Sequence, residues 1–267
     1  MNLRDTAFAG SFYPDNEKEI DKYIKHFDSI LKNSNFKLDD SLNIRAIISP
    51  HAGYIYSGFT ANAGFKYLEK KSPKTIIVIG PSHRVYLDGL SISKYEQYKT
   101  PYGNLPIDTN LVNKLDDKFD FIDFYPKVHV EHSTETQFPF IKKYQKDVKV
   151  IELIYGKIDY EDISKVIDYL LEDKDNFIII STDLSHFYTQ KEAKHIDNIC
   201  IEAIKQMDMP TFDKGCEACG IVGVKAIISS ANKQNMKSKI IDYRTSADAS
   251  GDTSRVVGYV SAIIHEN

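Results

Sequence analysis

Short apolar runs alternate with amphipathic segments from one end of the sequence to the other. Three of the runs, residues 44–48, 75–79 and 177–180, end abruptly in proline, glycine or serine followed by a histidine-containing turn. A short apolar run with such an ending is typical of a buried strand that leads into a tight loop. Between the first two runs, residues 59–70 have a helical spacing, which predicts a right-handed βαβ unit.

The same alternation continues to the end of the chain. Further strands are predicted at residues 90–93, 148–154, 239–243 and 256–264. Helices are predicted at residues 16–31, 111–115, 163–171 and 218–231, with one more that Asp183 or Ser185 caps and that runs toward Met207. No linker rich in Pro, Ser or Gly interrupts the pattern. We therefore expect an α/β fold and a single domain over residues 1–267.

Composition narrows the class of protein. Hydrophobic residues make up 42% and charged residues 27% of the 267 positions, which is ordinary usage for a chain with a sizeable core. The net charge is −4 and the lysines form no dense stripe, so we expect no nucleic-acid partner. No apolar run has membrane-spanning length and no signal peptide is recognisable, so we expect no membrane partner and a cytoplasmic location. Three cysteines in such a setting argue against a disulfide framework.

Candidate chemistry lies where the predicted strands end. His51 and His83 follow the first two apolar runs, and the third run leads into Asp183 and His186. A further histidine, His132, lies in a polar cluster. In open α/β sheets the carboxyl ends of the strands are where ligands bind. One such histidine is more often structural, but four together predict a site, and imidazoles with a carboxylate are ligands for Fe(II) or zinc.

Several of the polar residues have plain structural alternatives. Asp248 and Asp252 lie in a glycine-containing loop, where aspartates commonly stabilise turns. Asp183 has the alternative of a helix cap, and Glu131 and Glu135 have that of a solvated helix start. Cys219 has the alternative of a small buried apolar residue.

Six motifs occur in a fixed order across nearly the whole chain: AGSFYP, ISPHAGYIYSG, GPSH, EHSTETQFPF, STDLSHF and TSADASGD. In this combination the sequence resembles the Memo family, which includes the mediator of cell motility in animals and AmmeMemoRadiSam system protein B in bacteria and archaea. The resemblance implies a fold similar to that of class III extradiol dioxygenases. That fold is a three-layer α/β/α domain with a mixed central sheet.

The resemblance also implies roles for individual residues. His51 and His83 match the metal-binding histidines, and His186 matches the acid/base histidine. Asp248 stands closest to the position of the third ligand, with Asp252 as the alternative. His132 is expected to assist catalysis by orienting substrate or oxygen. Further residues expected in or around the cleft are Asp183, Glu135, Cys219, Ser82 and Tyr54.

These residues predict a mononuclear non-haem Fe(II) enzyme of the extradiol type, with zinc and copper as alternative metals. A catechol-like substrate would bind the iron through two adjacent oxygens, and His186 would remove a substrate proton and later return one. Two alternatives remain open: a Memo-type protein that binds peptides or phosphotyrosine without turnover, and a metal-dependent hydrolase. The resemblance further implies a functional association with AMMECR1-type and radical SAM proteins.

Overall fold

The computed structural model describes residues 2–34 and 36–266. The strands are β1 (Leu3–Arg4), β2 (Ile44–Ser49), β3 (Thr75–Pro81), β4 (Leu90–Ile92), β5 (Gln97–Tyr98), β6 (Leu105–Pro106), β7 (Ile122–Asp123), β8 (Lys149–Tyr155), β9 (Asn176–Ser181), β10 (His186–Tyr188), β11 (Lys237–Thr245) and β12 (Val256–His265). The helices are α1 (Glu17–Asn33), α2 (Tyr54–Phe65), α3 (Thr109–Lys118), α4 (His132–Glu135), α5 (Gln137–Tyr144), α6 (Tyr160–Leu171), α7 (Gln190–Gln206), α8 (Met209–Phe212), α9 (Ile221–Lys233) and α10 (Ala247–Ser250). Two 3-10 turns cover Lys66–Lys70 and Pro126–His129.

The main sheet is mixed. Its strand order is β10-β12-β2-β9-β3-β8-β4-β7, and β11 pairs with β12 as well. Strands β2, β9, β3 and β8 run parallel, whereas β12 and β4 are antiparallel to their neighbours in this group. A small separate sheet joins β1, β5 and β6. The predicted α/β class with a mixed central sheet is confirmed.

The central strands form because their side chains are apolar on both faces. Ile47, Ile77 and Ile179 are fully buried, and no residue of β2, β3 or β9 is exposed. Strands that are apolar on both faces need helices on both sides of the sheet. On one side α2 packs on β2, β11 and β12, with α1 against α2; on the other, α6 and α9 pack together over β9. This is the predicted three-layer α/β/α arrangement.

The region after β9 differs from the sequence prediction. No helix is capped by Asp183 or Ser185: β10 intervenes, and α7 begins after Thr189, whose hydroxyl accepts a hydrogen bond from the backbone of Glu192. A strand of three residues is too short to leave a periodic pattern, so the sequence alone does not reveal it.

The cysteines also differ from expectation. Cys200 on α7 and Cys216 form a disulfide with their Cα atoms 4.7 Å apart, whereas Cys219 is free. The expectation of no disulfide framework did not include this single bond. That expectation rested on the number of cysteines and on the predicted compartment, and neither reveals that α7 lies beside the segment that precedes α9.

Within residues 2–34 and 36–266, none of the helices combines the length and the apolar character required for crossing a bilayer.

Candidate metal centre

Three histidine side chains meet at the carboxyl ends of the central strands. His51 and His83 are each the second residue after a strand, β2 and β3 respectively, and His132 is the first residue of α4. The ring centroids lie 5.1 Å apart for His51 and His83, 5.4 Å for His51 and His132, and 4.7 Å for His83 and His132. One ligand nitrogen from each ring lies within 4.8 Å of the others. This spacing suits a single metal ion.

Glu131 holds two of the three rings in place. Its Oε1 accepts hydrogen bonds from Nδ1 of His132 at 2.7 Å and from Nδ1 of His83 at 3.3 Å. Its Oε2 accepts from the backbone N–H of His83 at 2.7 Å. Burial alone would raise the pKa of Glu131, but the hydrogen bonds from His132 and His83 outweigh it and hold the pKa well below its usual value. The carboxylate is therefore ionised and both Nδ1 atoms carry protons.

The third ring is held from β9, the strand that lies between β2 and β3. Nδ1 of His51 shares a hydrogen bond with Oγ of Ser181, the last residue of β9, at 2.8 Å. Burial lowers the pKa of His51 well below its usual value, and the nearby His83 and His132 lower it further. His51 is therefore neutral, as a metal ligand must be. With Nδ1 of all three rings occupied, each Nε2 is left for a ligand position.

Cys219 and Asp183 lie beside His51. Sγ of Cys219 is 3.3 Å and Oδ2 of Asp183 is 3.9 Å from Nε2 of His51. Oδ1 of Asp183 accepts from the backbone N–H of His51 at 2.8 Å. Burial raises the pKa of Cys219 to about 12, and the neighbouring Asp183 adds to the effect. Burial also raises the pKa of Asp183. A sulfur and a carboxyl group therefore lie next to the histidines, and burial favours the protonated form of each.

A glycine allows Cys219 to approach the sheet this closely. The backbone N–H of Gly220 donates to Oγ1 of Thr182 at 2.9 Å. A Cβ on Gly220 would lie 2.6 Å from the carbonyl oxygen of Ser181 and 2.6 Å from Cβ of Thr182. Both contacts are too short for any side chain, so this position requires glycine if Cys219 is to reach His51.

His186, the predicted acid/base residue, begins β10 and is half-buried. It lies near enough to Asp183 and His51 to interact with both electrostatically. It does not belong to the group of three histidines. This position at the edge of the site is compatible with contact to a substrate, and the catalytic role of His186 stays a prediction.

The structure does not bring Asp248 to the three histidines. Oδ2 of Asp248 accepts from the backbone N–H of Thr245 at 2.7 Å and from its hydroxyl at 3.1 Å. The residue is exposed and lines a groove of about 350 Å³ between α1, α2 and α10. Asp252 is exposed too, and accepts from the backbone and hydroxyl of Ser254. Both aspartates thus form the turn contacts that were their structural alternative.

Three other predicted cleft residues have their polar atoms bonded within the protein. The hydroxyl of Ser82 donates to the carbonyl of Val85 at 2.6 Å, and that of Tyr54 to the carbonyl of Thr136 at 2.8 Å. Glu135 is fully buried, and its carboxylate accepts hydrogen bonds from the N-terminal segment. These residues support the walls of the site.

Sequence reasoning missed two residues that orient the histidines. Glu131 was expected to lie in a polar cluster or at a solvated helix start, and Ser181 was given no role. An acidic residue directly before His132, at the N-cap of a helix, was the available signal for Glu131. Nothing in the local sequence indicates that the same carboxylate also holds His83, because that residue lies 48 positions earlier.

Fold and site together define the class: an α/β protein with a candidate three-histidine metal centre at the carboxyl ends of its strands. A sequence profile of the family described as "Memo-like protein" matches residues 4–263. The chain therefore belongs to the Memo family.

Curated relatives of similar length agree with this assignment. A "MEMO1 family protein" of Aquifex aeolicus is 31% identical over 274 aligned residues, which cover 98% of this chain and 99% of the relative. That of Methanobrevibacter smithii is 33% identical over 98% of this chain and 99% of its own length. That of Nitrosopumilus maritimus is 28% identical over 96% and 98%.

Proposed function

We propose that the protein is a mononuclear metalloprotein that binds Fe(II) through Nε2 of His51, His83 and His132. The observation that carries the proposal is that all three rings have Nδ1 anchored by a neighbour, while their ligand atoms lie within 4.8 Å of one another. Metal-binding histidines are commonly oriented in this way. His132 takes the position that the sequence prediction gave to Asp248.

We further propose that the reaction is of the extradiol type, on a substrate with two adjacent oxygen donors. Fe(II) on three protein ligands supplies open coordination positions for substrate and O₂. His186 would take up a proton from a substrate hydroxyl and later return it, since imidazole suits general acid/base work near neutral pH. Asp183 would keep the turn that carries His51 in place through its bond to the His51 amide.

The first experiment is anaerobic reconstitution with Fe(II), followed by metal analysis of His51→Ala, His83→Ala and His132→Ala. Each variant should bind far less iron than the unmodified protein. His195→Ala is the matched control, because His195 is an exposed histidine on α7. Unchanged iron in all three site variants would reject the ligand set.

Oxygen consumption by the iron-loaded protein, with a panel of catechols, tests the reaction separately from the site. Consumption that requires both iron and catechol, and that His186→Ala strongly reduces, is the expected result. Stoichiometric iron with no oxygen uptake on any catechol would reject the extradiol reaction but not the site. Binding of a tyrosine-phosphorylated peptide by such a protein would then favour the binding function.

A zinc-dependent hydrolase is a second candidate, and the position of Cys219 favours it. A thiol 3.3 Å from Nε2 of His51 offers the soft sulfur ligand that zinc and copper accept readily. Bound zinc would supply an activated water for hydrolysis. Cys219→Ser should weaken zinc binding more than iron binding if the sulfur is a ligand. Equal effects on the two metals would count against this candidate.

We propose, finally, a cytoplasmic location and a functional association with AMMECR1-type and radical SAM proteins. Family membership supports the association, and the location is the one that the sequence predicts. Affinity purification of the tagged protein from the cytoplasmic fraction of its native cell, with mass spectrometry, tests them together. Recovery from another fraction would reject the location, and recovery without either companion would reject the association.

A further inference from the structure

The N-terminal segment packs against one of the three histidines. We call residues 5–13 the N-terminal strap. The ring of Phe12 lies 4.8 Å from that of His132, and the ring of Phe8 lies 5.7 Å from it, centroid to centroid. The two phenylalanine rings pack edge to face at 5.4 Å. The strap therefore places two aromatic rings against one of the three proposed ligands.

One carboxylate fastens the strap to the helix that carries this histidine. Glu135 lies three residues after His132 on α4 and is fully buried. Its Oε1 accepts from the backbone N–H of Phe8 at 2.8 Å and from the hydroxyl of Tyr13 at 2.7 Å. Both of its oxygens lie 3.0 Å from the backbone nitrogen of Ala7. Glu135 thus contacts the strap in its middle and at its end.

Arg4 completes the attachment at the other end of the strap. Its Nη1 donates to Oε2 of Glu135 at 2.8 Å, and the pair is almost entirely buried. Beyond Phe8, the carbonyl of Phe12 accepts from the backbone N–H of Tyr54 at 2.8 Å, in the first turn after His51. The strap is therefore bonded to α4, which carries His132, and to the start of α2, three residues after His51.

Burying the ion pair of Arg4 and Glu135 costs free energy. A buried ion pair loses hydration that its mutual attraction often does no more than offset, so apolar residues of similar volume would hold a chain segment as well. A single acceptor that gathers donors from four residues, however, fixes the strap relative to His132 in one geometry. A single fixed geometry is useful at a metal site, because the positions of the histidine rings determine how they bind the ion.

We propose that Glu135 is a positioning residue: it fastens the N-terminal strap over the histidine group, so that Phe8 and Phe12 shield the bound ion from solvent. The shielding rests on the proposed metal binding, whereas the fastening does not. When Glu135 no longer holds the strap, the ion exchanges faster with solvent and with competing chelators, although its ligands are unchanged.

The test uses Glu135→Gln and the milder Tyr13→Phe in the full-length protein. Glu135→Gln keeps the volume but removes the charge and one acceptor oxygen, and Tyr13→Phe removes one hydrogen bond. Amide hydrogen exchange at Ala7 and Phe8, measured by NMR, reports the fastening. Transfer of zinc from the loaded protein to the chelator 4-(2-pyridylazo)resorcinol reports the shielding. The controls are Glu172→Gln, at an exposed glutamate, and Tyr144→Phe, which loses a hydroxyl bond to Asn62.

We expect the amides of Ala7 and Phe8 to exchange roughly fivefold faster in Tyr13→Phe and more than tenfold faster in Glu135→Gln. The roughly fivefold change corresponds to the net contribution of one hydrogen bond to stability. Zinc transfer should accelerate in the same order, and the controls should match the unmodified protein. Amides that stay protected in both variants would overturn the fastening. If the amides exchange faster but the rate of zinc transfer is unchanged, the proposed shielding is wrong. If Glu135→Gln does not fold, Tyr13→Phe decides alone.

A failure of the proposed metal binding has a different signature. The unmodified protein would then take up no zinc, while the amide measurements would still report the fastening.

Discussion

Nδ1 of His132 donates to Oε1 of Glu131 at 2.7 Å, although the two residues are adjacent in the chain. Glu131 has the extended backbone of an N-cap, with φ −131°, and its side chain also accepts from the N–H of Ser133. One buried carboxylate thereby starts α4, orients the first ring on that helix and reaches across to His83.

Glu131→Gln should weaken metal binding by about 10- to 100-fold, as is usual when an outer hydrogen-bond partner of a ligating histidine is lost. A glutamine offers one acceptor oxygen in place of two, so it cannot satisfy both rings and the amide of His83. Competition titration with zinc or cobalt measures the affinity. Glu172→Gln is the control, and equal affinities for the two variants would show that Glu131 does not orient the ligands.

Asp248→Ala should retain full metal stoichiometry but unfold more easily. The carboxylate bonds only with Thr245 among the contacts described, so its loss removes hydrogen bonds of a turn that together contribute about 1 kcal/mol. Metal analysis and chemical denaturation are the measurements. Loss of metal from this variant would instead restore Asp248 as a ligand.

Gly220→Ala should expose Cys219 and destabilise the protein by about 1 to 3 kcal/mol, the usual cost of forcing extra volume into a packed site. The added Cβ would displace the segment from Ser181 and Thr182. Reaction of the free thiol with a disulfide reagent should become faster. Gly53→Ala is the control, because its Cβ would lie 3.5 Å from the nearest atom. A thiol that stays protected in Gly220→Ala would contradict the close approach.

The buried pair of Glu152 and His129 should make stability depend on pH. Burial alone would raise the pKa of Glu152, but His129, with help from Arg4 and Thr134, outweighs it and lowers the pKa. A carboxyl whose pKa is lower in the folded state stabilises the protein above its unfolded pKa. This contribution is lost as the pH falls through the folded value.

Glu152→Gln should therefore show a shallower loss of unfolding free energy below about pH 5 than the unmodified protein. At neutral pH it should be less stable by about 3 to 5 kcal/mol, because His129 loses its buried partner. Urea denaturation of the metal-free protein between pH 3 and pH 7 measures both effects. Parallel pH profiles for Glu152→Gln and the unmodified protein would refute the assignment.

The sequence predicts the sheet well because its central strands are uniformly apolar. Residues 44–48 and 177–180 were predicted as strands, and β2 and β9 contain them. His51 and His83 were also predicted together, since both directly follow such strands. These inferences need only local pattern and the rule that parallel strands end at one edge.

The remaining parts of the site depend on contacts that no local pattern contains. Asp248 has the carboxylate that a metal ligand requires, but the N–H and the hydroxyl of Thr245 both donate hydrogen bonds to it. From the sequence, Glu131 is expected to be a solvated residue at a helix start. Nothing local shows that His83, two residues after β3, lies beside it. His129, which received no role from the sequence, is fully buried against Glu152.

Strand β9 lies between β2 and β3, and all three strands are buried along their whole length. The Cα positions of His51 and His83 are consequently fixed by the spacing of a rigid core. His132 is fixed as well, because Ser133, Thr134 and Glu135, which follow it on α4, are buried. Three ligands on a rigid frame favour ions of one radius, so discrimination among metals should come from this preformed spacing.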